Sequence, residues 1–107
     1  MFAFALAAAA LAVPTPVGVS AREWRLSTYV PVVRRGGVAF NVHNYGEDPH
    51  NLQVRGPRGY RSAVTPDIAS EGSATLVVTL RRAGAYRLVC TLPGHVAKGM
   101  RVQFRVR

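Results

Sequence analysis

Residues 84–106 read GAYRLVCTLPGHVAKGMRVQFRV, and the two ends of this stretch obey one rule while its middle obeys another. At the front, Tyr86, Leu88 and Cys90 alternate with Ala85, Arg87 and Val89; at the back, Val102, Phe104 and Val106 alternate with Arg101, Gln103 and Arg105. Period-two alternation of this kind marks strands with one buried and one wet face. Between them stand Pro93, Gly94 and Gly99, residues that bend a chain rather than extend it. The stretch is therefore strand, tight loop, strand, and Cys90, His95 and Met100 fall on the loop and its two ends.

The same alternation continues upstream. Trp24, Leu26, Thr28 and Val30 share one face of a first strand, and Pro31 suits an edge or a change of sheet. After a turn at Arg34–Gly37, Val38, Phe40 and Val42 alternate with Ala39, Asn41 and His43, and Asn44–Glu47 turns again. His50, Leu52 and Val54 form an inward set ending at the Gly56–Gly59 turn. Residues 62–73, rich in Ser, Ala, Pro and Gly, read as a loop with at most one helical turn. Thr75–Leu80 is a continuous strand, and Arg81–Gly84 reads as a hairpin turn. Trp24, Phe40, Tyr86 and Phe104 are expected in the core. Tyr45 and Tyr60 are expected to pack or lie exposed, and His43 to lie on the surface without a metal role. The fold class that follows is all-β, an antiparallel Greek-key β-sandwich of six to eight short strands.

A chain of 107 residues allows one domain. Met1–Ala21 combines an apolar run, Phe2–Val13, with a small-residue end, Val19-Ser20-Ala21. It reads as a secretory signal peptide cleaved after Ala21, although no Lys or Arg precedes the run. That places the domain at 22–107 and the protein in the periplasm or outside the cell, or anchored to the membrane if the leader is retained. A domain of this size sits near the lower margin of stability and usually needs a staple. One cysteine cannot form an internal disulfide, which leaves a metal. The net charge is +9, with thirteen Arg and one Lys against five acids. The basic residues alternate along strands or sit in turns, and no recognition helix or stacking platform emerges, so no nucleic acid is expected. An acidic protein partner or an anionic surface, including peripheral membrane association, uses the charge more economically.

Thiolate, imidazole and thioether, spaced four and four on one loop, can curl around a single ion, and His50 can deliver a fourth donor from a neighbouring strand. Structural zinc does not use Met. Two His, one Cys and a weak axial Met form the blue-copper arrangement. At these residues the chain resembles the cupredoxins, the type 1 copper proteins, in their plastocyanin-, rusticyanin- and sulfocyanin-like group. The resemblance rests on Cys90-x4-His95-x4-Met100 with Pro93-Gly94, on Asp48-Pro49-His50-Asn51, on Gly84-x-Tyr86-x3-Cys90 and on the closing strand, and it covers nearly all of residues 23–107.

The resemblance implies one copper ion held by His50, Cys90, His95 and Met100, and a hydrogen bond between Asn51 and Thr91. It also implies that His95 is the electron port, ringed by Leu92, Pro93, Val96 and Ala97. The function expected is a monomeric, exported one-electron carrier, not an enzyme, docking an acidic redox partner around His95. The alternative is an extracytoplasmic copper chaperone or scavenger, which Met- or His-rich tails would favour; the chain has none. Multicopper chemistry needs further His pairs, and only His43 is left over.

Overall fold

The computed structural model describes residues 13–107, so residues 1–12 of the expected leader lie outside the described residues. The strands are β1 (Thr15–Arg22), β2 (Arg25–Thr28), β3 (Val32–Val33), β4 (Gly36–Asn44), β5 (Gln53–Arg55), β6 (Ser73–Leu80), β7 (Gly84–Val89) and β8 (Arg101–Val106), with one short helix, α1 (His95–Lys98), before β8. They form two four-stranded sheets, ordered β2-β1-β4-β6 and β3-β8-β7-β5. The expected sandwich stands, but its sheets are mixed. β1 runs parallel to β4 and β3 parallel to β8, while the other pairs are antiparallel. Between β1 and β4 the chain crosses to the second sheet for β3, and such a crossover lets it return in the parallel sense.

The first strand runs across the expected domain boundary. β1 lies between β2 and β4, and Val17, Val19 and Ala21 point into the core with 1%, 2% and 0% of their surface exposed. A boundary after Ala21 therefore falls inside an interior strand. The small residues that resemble a processing site are the pleat of that strand, with Gly18 and Ser20 on its other face.

The core closes between the sheets. Phe40 of β4 meets Phe104 of β8 edge-on at 5.3 Å, and Tyr86 of β7 stacks on Phe104 at 5.6 Å. Such aromatic pairs add to the burial of apolar area itself. Around them Val38, Val42, Leu76, Val78, Leu80, Leu88 and Val106 are buried. Leu80 pairs with Gly36 in one sheet and Gly84 with Val106 in the other, so Arg81–Ala83 is an arch between sheets and not the expected hairpin. The Tyr86 hydroxyl donates to the Arg82 carbonyl at 2.7 Å and pins that arch. The 62–73 stretch is a strap without a helical turn. Its Thr65 and Ser62 hydroxyls accept from the backbone N–H groups of Leu52 and Val54 and so cover the open edge of β5.

β1 makes a direct prediction. Burying a valine is worth roughly 1.5–3 kcal/mol, so losing Val17 and Val19 alone approaches the roughly 5–15 kcal/mol of a whole small domain. A chain beginning at Arg22 is expected to lose its cooperative thermal transition, and one beginning at Val13 to keep it. Circular dichroism melts of both check this; a cooperative melt from the shorter chain contradicts it.

Candidate metal centre

The loop between β7 and β8 is closed at its neck by the Cys90 N–H, which donates to the Met100 carbonyl at 3.2 Å. Within it the His95 N–H donates to Leu92 and the Met100 N–H to the His95 carbonyl, so His95 and Met100 are tied to each other through the backbone. Gly94 enters α1 at φ 80° and Gly99 leaves it at φ 120°, both in the region that favours glycine. At Gly99 the Trp24 carbonyl also stands 2.9 Å from where a Cβ would sit, so a side chain there is excluded twice. The expected bends are thus what curl the loop.

This curl brings the predicted donors together. Sγ of Cys90 lies 3.3 Å from Nδ1 of His95, and Nδ1 of His50 lies 3.3 Å from the same nitrogen. One donor atom from each of the three residues lies within 4.8 Å of the others. His50, Cys90 and Met100 are fully buried, while His95 is half-buried at the end of the sandwich. His50 precedes β5 and is held by paired backbone hydrogen bonds with Ile68. Asn51 clamps the two sides of the centre: its side chain donates to the Thr91 hydroxyl at 2.9 Å and accepts from the Thr91 N–H at 2.7 Å. Its own N–H points at the Cys90 sulfur, 3.5 Å away. His43 is elsewhere, on the outside of β4, against Ser73 and Glu71.

Two residues that sequence reasoning missed complete the centre, both in the turn between β1 and β2. Glu23 reaches across to the 44–50 loop, where its carboxylate accepts from the backbone N–H groups of Glu47 and Asp48 and from Nε2 of His50 at 3.1 Å. The Asp48 N–H is the main cause that holds the Glu23 carboxyl down at about 2, against the opposing effect of burial, with Glu47 and His50 adding to it. An ionised acceptor at Nε2 keeps the His50 proton there and leaves Nδ1 bare toward Cys90 and His95. Gly46 is needed for this approach, because the space of its missing side chain is filled by the Glu23 carboxylate. Trp24, expected in the core, is instead half-buried over the centre, its ring 4.9 Å from that of His95 and 6.4 Å from that of His50. The Lys98 ammonium lies 4.0 Å from the centroid of the Trp24 ring. No spacing rule links residues 23–24 to 50 and 95; the one local sign is the Gly46 that makes room.

The donors fit copper. A sulfur and two imidazole nitrogens converge, and a methionine closes the loop that carries two of them. Burial, and then the neighbouring His50, push His95 below the usual imidazole range and keep its lone pair free for a metal. Three lone-pair donors this close repel one another unless a cation or a proton lies between them.

Glu23 gives the test of this geometry. Glu23→Ala is expected to weaken copper(II) binding by roughly 10–100-fold, the usual cost of losing a partner behind a ligand histidine, with Glu23→Gln in between. In the metal-free protein, nitrogen NMR of His50 should show the Nε2–H tautomer, and Glu23→Ala should mix the two tautomers. Unchanged affinity and an unchanged tautomer would remove Glu23 from the centre.

No family model matches the chain. Over 67 residues, 62% of its length, it is 27% identical to the blue copper protein of Pisum sativum, and the match spans only about a third (35%) of that protein. Among solved structures it is similar to the dithionite-reduced auracyanin of Roseiflexus castenholzii, with a TM-score of 0.75 at 21% identity over 90% of this chain and 99% of that one. It is also similar to auracyanin A, a blue copper protein of Chloroflexus aurantiacus, with a TM-score of 0.69 at 17% identity over 89% of this chain and 100% of that one. The fold is that of the cupredoxins, and His50, Cys90 and His95 bring a sulfur and two imidazole nitrogens together at one end of the sandwich, with Met100 buried at the end of the loop that carries two of them.

Proposed function

We propose that this protein is a one-electron carrier with a single type 1 copper ion, working outside the cytoplasm. The observation that carries the reading is the closed donor set in which only His95 reaches the surface. Copper bound here would supply the redox couple, cycling between its monovalent and divalent states. The chain's part is to keep the donors still. The backbone ties between His95 and Met100, the Asn51–Thr91 clamp and the Glu23 hold on His50 fix the donors before any metal arrives, so little has to move when an electron does. The imidazole edge of His95 is the short way out, with half-buried Leu92 and Val96 beside it to exclude water at a contact.

An acidic redox protein is the partner that a +9 surface favours, since opposite charge speeds encounter. Export rests on the apolar run at residues 2–13; because β1 belongs to the sandwich, processing that leaves a working domain has to fall before Thr15. Among the described residues no helix is long and apolar enough to cross a membrane.

Copper-loaded protein is expected to show intense thiolate-to-copper absorption in the visible that bleaches and returns through reversible reduction. Cys90→Ser should abolish it, and persistence of the colour in that variant would refute Cys90 as the ligand. Copper should also raise the melting transition: a thousandfold excess over the dissociation constant stabilises by about 4 kcal/mol. The metal-free protein should still melt cooperatively. Coincident melts with and without copper would show that the ion does not bind the folded chain. Rapid surrender of copper to a chelator without reversible cycling would favour a chaperone instead.

A further inference from the structure

The outer face of the β3-β8-β7-β5 sheet carries positive charge with nothing to balance it. Tyr86 and Leu88 point into the core, so Arg87 between them points out, directly opposite Arg55 on β5 and Gln103 on β8. Like charges facing each other across a strand pair destabilise a sheet. Among the described residues no arginine lies within salt-bridge distance of a carboxylate; the two ion pairs, His43–Glu71 and His50–Glu23, both use histidine. Arg55 is half-buried, and this burial, together with Arg61 and Arg87, pushes its guanidinium below the usual range.

This charge borders a groove of about 400 Å³ lined by Arg55, Arg87, Arg101, Gln103, Val102 and Val96. The groove ends on the metal loop. Arg101 donates from Nη1 to the Val96 carbonyl at 2.9 Å, and Val96 follows His95 directly in α1. Three guanidiniums and two valines thus line a groove that reaches the residue next to His95. A guanidinium presents paired N–H donors that match a carboxylate, and an anion here relieves the repulsion between Arg55 and Arg87.

We propose that this groove is the docking site for a carboxylate-bearing segment of the redox partner, which sets the partner's electron-entry edge against His95. The proposal rests on the electron-carrier reading and adds to it the face that is used. A protein fits better than a lipid surface, because the groove is concave and a bilayer lying across it would also cover His95.

The test uses two probes. The first is oxidation of the reduced copper protein by hexacyanoferrate(III), a polyanion that takes one electron from copper(I), giving copper(II) and hexacyanoferrate(II). The rate should saturate with oxidant. The Arg55→Gln/Arg87→Gln/Arg101→Gln variant should raise the half-saturating concentration at least tenfold. A variant with the same charge change at the far end of the sandwich, Arg34→Gln/Arg35→Gln/Arg107→Gln, should change it less than twofold. Tris(phenanthroline)cobalt(III), a cationic oxidant, should not be slowed by either. The second probe is hexaglutamate added to the nitrogen-15-labelled metal-free protein, where the amide signals of Arg87, Val96 and Arg101 should shift and the groove variant should abolish the shifts. Equal losses in the two arginine variants, or hexaglutamate shifts scattered over the surface, would overturn the proposal. So would a groove-dependent sedimentation with phosphatidylglycerol vesicles that hexaglutamate does not compete, which would point to a membrane. Loss of the copper colour with intact hexaglutamate binding would overturn the electron-carrier reading and leave the groove standing as an anion site.

Discussion

Two nitrogens and a sulfur are held within 4.8 Å of one another at one end of the sandwich, close enough to share one ion. Without a cation or a shared proton between them such donors repel one another, and the surrounding chain holds them together. One is the loop neck, where the Cys90 N–H meets the Met100 carbonyl between two paired strands. Another is the Asn51–Thr91 clamp, which ties the His50 side of the centre to the Cys90 side. The third is Glu23, which fixes the loop of residues 47–48 and the proton of His50 with one carboxylate. These restraints lie in the protein and not in the ion, which is why the centre suits a metal that must change charge without changing place.

The N-terminal strand matters more to this centre than its composition suggests. β1 is an interior strand, and the turn after it delivers both Glu23 and Trp24 to the ligand histidines. Metal centre and sheet therefore share one support, and a chain that lost β1 would lose the hold on His50 with it. The surface divides in a related way. Glu23, Glu47 and Asp48 lie together on the His50 side, where the backbone N–H groups of Glu47 and Asp48 donate to the Glu23 carboxylate, while the outer face of the other sheet carries arginine without acid. On the docking proposed above, an acidic partner is drawn to the arginine side of His95, where Val96 lines the groove.

How much of this was legible in the sequence depended on whether the deciding contacts were local. β4, β7 and β8 could be read because each buries one face, so Val38/Phe40/Val42, Tyr86/Leu88 and Phe104/Val106 recur with period two. The donor loop was legible because Cys90, His95 and Met100 lie within eleven residues, and the Asn51–Thr91 bond followed from the resemblance. β1 was not legible as a strand, although Val17, Val19 and Ala21 do alternate, because small residues after a long apolar run satisfy the rule for a processed leader equally well. Parallel pairing of β1 with β4 leaves no local sign, since the turn chemistry that marks a hairpin is absent. Arg81–Gly84 carried that turn chemistry and yet bridges two sheets. Trp24 reads as core by parity with Leu26 and Thr28, but it belongs to the turn before β2, where parity does not decide direction.

On this reading the chain, and not the metal, sets the geometry of the site. X-ray absorption at the copper edge, recorded on the fully oxidised and the fully reduced protein, tests it most directly. One short sulfur and two nitrogen neighbours are expected in both states, with bond lengths that barely change on reduction. Loss of the sulfur neighbour or of an imidazole nitrogen in either state would contradict it.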